Sequence, residues 1–281
     1  MNKIKTAFLL LMISTFINTV SAQLLWKIEG DGMQQPSYLY GTMHILCPDD
    51  FHISEQVLKA YQNTDALVLE LDPTNPEVLT QMQQLSVNPG FENIYKVLAE
   101  KDYEKIDRVL TENFGAGLDQ MGVMKPFVLT SMITMTLFPC EQLESPEIYF
   151  VGLANEDGRE TISLETAALQ MGIFDEIPTE LQIQEMLRML NQKGVEELQA
   201  MKKAYLAEDL LTLNKAMTSN AMMKDWEHLI LSDRNKQWVK DLTPVMPKKS
   251  LFIAVGAGHL PGEEGVIELL KKEGFRLTPV L

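Results

Sequence analysis

The 281-residue chain is 46% hydrophobic and 22% charged, which is the composition of a globular protein and excludes disorder or collagen-like repetition. Lys and Arg number 24 against 39 Asp and Glu, a formal net charge of -15, so neither nucleic acid nor an anionic membrane fits as a partner. The acidity favours cations, metal ions or basic peptides at long range, or serves solubility alone, and names no substrate.

Residues 1 to 22 carry Lys3 and Lys5, an apolar stretch from Ala7 to about Ile17, and small residues ending Val20-Ser21-Ala22. This pattern predicts a secretory signal peptide cleaved before Gln23, with an apolar run too short to span a bilayer. The expected mature chain, 23 to 281, is exported to a periplasmic or extracellular space, has no membrane span, and keeps 22 basic residues against 39 acidic ones. In an oxidising compartment Cys47 and Cys140 either pair as a disulfide or remain two buried thiols, and neither belongs to a Cys-x-x-Cys spacing.

Alternating β-rich runs at Leu24 to Gly30 and Ser37 to Ile45, separated by the turn residues Asp31-Gly32 and Pro36, predict two antiparallel strands. Ser54 caps a predicted helix with Val57, Leu58 and Tyr61 on its buried face. The unalternating run from Ala66 to Leu71 predicts a strand buried on both faces. Helical segments follow around Pro76 to Leu85, Phe91 to Glu100, Asp102 to Asn113 and Lys125 to Cys140, the last apolar on nearly every face and read as a central core helix. A helix over 146 to 157, a short strand ending at Glu165, and helical periodicity from Thr179 to about Leu242 come next. The chain closes with a strand over Ser250 to Gly256, a helix, and a final strand, FRLTPV. The expected fold is one α/β domain: a central mixed β-sheet with a large helical layer or cap between the N- and C-terminal strand units. The 17 methionines are read as core gap fillers rather than an adaptable peptide-binding surface.

Two of the four histidines share a context, Gly41-Thr42-Met43-His44 and Gly256-Ala257-Gly258-His259, each after a β-run. Glycine allows a tight turn there, which throws each histidine over the C-terminal edge of the sheet. His52 and His228 have no such setting and are read as structural. Glu70 and Glu165 end strands, where a buried carboxylate needs a pairing, a hydrogen bond or a cation. Two imidazoles and two carboxylates at one sheet edge suit manganese, zinc, cobalt or iron, and an open coordination position would acidify water and polarise a carbonyl. Arg234, early in a helix, is a candidate carboxylate clamp or oxyanion stabiliser, or part of a solvated helix start. Serine-nucleophile elbows, phosphate loops and a His-Glu-x-x-His zinc motif are all absent from the sequence.

In order along nearly the whole mature chain, YLYGTMHI, LVLELD, ISLETAALQ, SDRN and FIAVGAGHLPGEEGVIELLKKEGF resemble the TraB/GumN family, which includes the Tiki-type metalloproteases. The resemblance implies a sheet core similar to that of the erythromycin esterase and ChaN group. It also implies a divalent metal, manganese or cobalt ahead of zinc, and peptide or protein cleavage. His44 and His259 match the motif histidines, Gly41 and Gly256 their glycines, Glu70 and Glu165 the acidic positions, and Arg234-Asn235 the Arg-Asn pair. The implied mechanism has the histidines and carboxylates holding the cation, with Glu70 or Glu165 as base and Arg234 at the oxyanion. The alternatives are a non-catalytic module of the same fold that sequesters peptides or pheromones, and a binder of another ligand such as haem, iron or a glycan precursor. Oligomeric state and substrate are not written in these motifs.

Overall fold

The computed structural model describes residues 23–218 and 221–281; the expected signal peptide, residues 1–22, lies outside them. The first two strands, β1 (Leu25–Glu29) and β2 (Ser37–Thr42), pair antiparallel around the Asp31-Gly32 turn. Helix α1 (Glu55–Gln62) starts at Ser54, whose hydroxyl accepts from the Val57 N–H. Val57, Ala60 and Tyr61 form its buried face, while Leu58 is only half-buried. Strand β3 (Ala66–Leu69) is buried at every position, as its unbroken apolar run requires. Helix α2 (Pro76–Leu85) follows, capped by Asn75.

The helix expected over Phe91 to Glu100 is instead a pair of 3₁₀ turns, Pro89–Phe91 and Ile94–Val97, ahead of α3 (Glu100–Phe114). Asn93 explains the break: its side chain caps Tyr95 N–H and donates to the Leu118 carbonyl, competing with helical bonding. A short α4 (Leu118–Met121) leads to α5 (Pro126–Thr136), which ends four residues short of Cys140 and is not a central core helix. It packs on the later helix over Thr179–Met189 in a second cluster built on Ile106, Leu110, Leu129, Ile133 and Met186, and only Pro126, Leu129 and Ile133 of α5 are buried. Its all-round apolarity has another cause, since its remaining face lines a cleft.

Helix α6 (Pro146–Asp157) ends at Gly158 in the left-handed conformation, and β4 (Glu160–Ser163) follows, with Glu165 two residues past its end. An unanticipated helix, α7 (Ala167–Asp175), is capped by Thr166. The long helical region divides into α8 (Thr179–Met189), α9 (Gln192–Leu206), α10 (Leu210–Thr218), α11 (Ala221–Glu227) and, after a wide π-helical turn over His228–Ser232, α12 (Asp233–Leu242). Then come β5 (Leu251–Gly256), α13 (Val266–Lys272) and β6 (Arg276–Pro279).

The six strands form one mixed sheet in the order β4-β3-β5-β2-β1-β6. β4, β3, β5 and β2 run parallel, while β1 is antiparallel to both its neighbours. The expected single α/β domain with a helical layer between its strand units is therefore what folds. Tyr40, Tyr61, Phe150 and Phe252 interlock in the main core with centroid separations of 4.8 to 6.0 Å, each fully buried ring contributing about 2 kcal/mol or more. Among the described residues no helix is long and apolar enough to cross a membrane.

Candidate functional site

Because β2 and β5 are adjacent and parallel, with Gly41 opposite Val255 and Thr42 opposite Gly256, they deliver His44 and His259 to the same C-terminal sheet edge. β3, on the other side of β5, delivers Glu70 there too. The two glycines serve a purpose different from the expected turn. Neither is among the residues with positive φ, and Gly256 has φ -50°. Each instead makes room: a Cβ on Gly41 would stand 3.1 Å from the Ala257 backbone. A Cβ on Gly256 would meet Glu70 Oε1 at 3.1 Å, His259 Cδ2 at 3.6 Å and His44 Cε1 at 3.6 Å. Three side chains from three parallel strand ends thus crowd around one point that glycine leaves open and that a Cβ would partly fill.

Both rings are held by their Nδ1 atoms. His259 Nδ1 lies 2.6 Å from Asn235 Oδ1, whose amide nitrogen donates to the Glu264 carbonyl, so the oxygen faces the ring and Nδ1 carries the proton. His259 Nε2 is left with its lone pair, 3.2 Å from Arg234 Nη1. Burial, reinforced by Arg234 and His44 against the pull of Glu70, pushes the pKa of His259 down to about 3 and keeps it neutral. His44 donates from Nδ1 to Glu147 Oε1 at 2.8 Å. Desolvation opposes its protonation, but the charge and hydrogen bond of Glu147, with Glu70 beyond, raise its pKa above the ordinary imidazole range. Its side chain is 65% exposed, so solvent screens part of that pull.

Glu147 had no signal in the sequence beyond an acidic residue in a first helical turn, where the helix dipole alone would favour one. Folding buries it and gives it three donors, His44, Thr42 Oγ1 at 2.5 Å and Ser145 Oγ at 2.9 Å. Glu70 accepts from Gly256 N–H at 2.8 Å and from Arg234 Nη2 at 2.6 Å. Burial raises its pKa, yet protonated His44, Arg234 and the Gly256 N–H outweigh that and hold the carboxyl below its usual range.

Arg234 is not part of a solvated helix start. The π-helical turn before α12 rotates it inward, its side chain is 13% exposed, and its Nη1 donates to the Ile230 carbonyl at 2.8 Å. Nε and Nη2 grip both oxygens of Glu165 at 2.7 and 2.8 Å. Those oxygens also accept from Trp238 Nε1 at 2.9 Å and Gln170 Nε2 at 3.0 Å. Glu165 is thereby brought to Arg234 but not to the histidines. Cys47 and Cys140 are joined as a disulfide with Cα atoms 5.8 Å apart, and the Leu46 and Glu144 backbones pair beside it. The bridge ties the segment carrying His44 to the one leading into Glu147. His52 and His228 stand outside the cluster, His228 packing its ring 6.4 Å from that of Trp226.

Two imidazoles and a carboxylate are a suitable donor set for a divalent cation, and rings fixed through Nδ1 by oxygen acceptors are what such a site needs. His44, His259 and Glu70 around the Gly256 gap fit that chemistry. Among the described residues no group of three or more His, Cys, Asp or Glu stands close enough together to hold a metal ion; His259 Nε2 is 3.9 Å from Glu70 Oε1, and Arg234 contacts both.

The profile of the TraB/PrgY/gumN family matches residues 24–279, and the chain belongs to that family. It is similar to metalloprotease TIKI2 of Danio rerio, 22% identical over 90% of this chain and 60% of that one. It is also similar to metalloprotease TIKI1 of Xenopus tropicalis, 24% identical over 92% of this chain and 62% of that one. The chain thus spans about three fifths of the length of these relatives. No solved structure matches it closely enough to count as a relative.

Proposed function

We propose that this protein is an exported metal-dependent hydrolase that cleaves peptides or proteins. The observation carrying this reading is the convergence of His44, Glu70 and His259 on the space left by Gly256, each ring held by its far nitrogen. The metalloprotease relatives support it. Residues 1–22 act as the signal peptide, and the Cys47–Cys140 disulfide supports a periplasmic or extracellular destination.

His44, His259 and Glu70 are the residues that would hold the cation, manganese, cobalt or zinc, which when bound acidifies water and polarises a carbonyl. Glu147 and Asn235 orient the two rings through Nδ1. Glu165, with four donors on its two oxygens, anchors Arg234 rather than moving protons, and this leaves Glu70 as the carboxylate nearest the reacting atoms. Arg234, released from Glu70 while still gripped by Glu165, stabilises the oxyanion. His44, protonated near neutral pH through Glu147 while no cation holds it, is the accessible ring of the pair.

The test is metal content and peptide cleavage on the same purified protein, stripped and then reloaded with manganese, cobalt or zinc, beside His44→Ala and His259→Ala. Stoichiometric metal and cleavage, both lost in the variants while the fold persists, support the hydrolase. A folded protein that binds peptide, takes up no metal and cuts nothing moves the reading to a sequestering module.

A further inference from the structure

Two clefts of 540 and 580 Å³ open from the cluster and share its residues His44, Glu70 and Arg234, together with Ile45, Ser131 and Ile230. The first runs between α5, α9 and α10 over Met135, Phe138, Leu198, Met201 and Met217. The second runs between α2, α6 and α7 over Leu79, Met82, Ile148, Met171 and the stacked rings of Phe127 and Phe174, whose centroids are 3.5 Å apart. Three of the large apolar side chains the molecule leaves exposed, Leu79 at 46%, Ile148 at 53% and Met135 at 39%, stand on these walls.

The charges in the clefts are equally informative. Among the described residues every charged side chain lining either cleft belongs to the cluster, namely His44, Glu70, Glu147, Arg234 and His259. Each has its partners: Glu147 is taken by His44, Thr42 and Ser145, and Arg234 by Glu70, Glu165 and the Ile230 carbonyl. An enzyme that trims chain ends needs a carboxylate for the α-ammonium, or a cation for the α-carboxylate, within one or two residues of the bond cut, about 3.5 to 7 Å. Neither cleft offers one beyond the groups that the cluster itself uses. The hydroxyls of Thr130, Ser131 and Thr134 are spent on carbonyls of their own helix, so the walls of α5 present carbon rather than donors.

We infer that the substrate is an internal, apolar stretch of polypeptide that lies through both clefts with hydrophobic side chains on each side of the bond cut, so that cleavage is endoproteolytic. This rests on the peptidase reading for the cut itself, but the ligand class follows from the walls. The protein's acidity lies elsewhere on its surface and does not select basic side chains at the cleft.

The probe is a dye-labelled dodecapeptide rich in Leu, Phe and Met with both ends blocked, titrated into the purified metal-free protein by fluorescence anisotropy. Comparison peptides have free ends, or Lys and Glu at their centre. The expected result is binding that is unchanged by freeing the ends, weakened by the central charges, and weakened about tenfold by Ile148→Lys in one cleft and by Met135→Lys in the other. Both positions are exposed, so the melting temperatures of these variants should match the parent's. After metal reloading, mass spectrometry should place cuts inside the blocked peptide between apolar residues. A requirement for a free end or a charged side chain, or affinity untouched by both substitutions, overturns the inference. Binding as expected without any cut upholds the ligand class and overturns the peptidase reading instead.

Discussion

Arg234 is the residue on which the site's electrostatics turn. Its guanidinium compensates two buried carboxylates at once, Glu70 and Glu165, whose side chains are 11% and 2% exposed. Removing it leaves both without their cation, so Arg234→Gln should cost about 3–5 kcal/mol of stability in denaturant titration, and adding Glu165→Gln to that variant should restore part of the loss. A double variant no more stable than the single one would show that the pair does not share the buried charge. Glu147 governs the other ring. Because its carboxylate raises the His44 pKa, Glu147→Gln should lower the midpoint of the His44 ring signal in an NMR titration of the metal-free protein, while leaving His259 unprotonated throughout. A midpoint that stays put would assign the elevation to Glu70. Both histidines are legible in the sequence because the Gly-x-x-His motif and strand context coincide, whereas Arg234 stands out only through the Arg-Asn pair of the family resemblance. Glu147 is not legible, since an acidic residue in a first helical turn is ordinary and only the tertiary fold sets it beside a histidine 103 residues away.

At the scale of elements, the strands were legible because their periodicity and their neighbours agreed. β3 reads as an unbroken apolar run and is buried between β4 and β5, and the Ser54 cap lies where its side chain predicts. Two helical readings failed for different reasons. Over Phe91 to Glu100 a side-chain amide outcompetes the helix, which propensity sums do not register. In α5 apolar residues on more than one face suggest a central core helix, but the surface beyond Leu129 and Ile133 lines the first cleft. The methionines divide: Met171, Met186, Met189, Met223 and Met246 are buried as gap fillers, while Met135, Met201 and Met217 line the cleft wall, the last two also packing against the main core. What holds α5's end near the sheet is the Cys47–Cys140 bridge, closing a span of 93 residues. Replacing both cysteines by Ala should lower stability by about 2–5 kcal/mol. It should also loosen His44 from Glu147, seen as faster hydrogen exchange at residues 43 to 47 than in Arg234→Gln. Equal protection there would mean that the Leu46–Glu144 backbone pair alone positions the histidine.

For the whole molecule, the two histidines give the metal-free protein opposite pH limbs. The folded pKa of His259 is depressed to about 3 from 6.5, so below pH 6.5 the unfolded chain takes up a proton that the native state refuses, and stability falls as pH drops. Glu70, also depressed in the fold, steepens that loss once pH falls below about 4.5. His44 is raised, so its stabilisation is complete below pH 6.5 and is lost as pH climbs toward 9, by an amount reduced because the ring is exposed. Together they place a maximum near pH 6.5, against a background in which the excess of acidic residues favours lower pH by relieving self-repulsion. Single variants separate the site from that background. Urea titrations at pH 5, 6.5 and 8.5 should find that His259→Asn flattens the rise from pH 5 to 6.5, and that Glu147→Gln flattens the decline from 6.5 to 8.5. If both variants kept the parent's slopes, the pH profile would belong to the surface charge, and the two rings would titrate alike in the folded and unfolded chains.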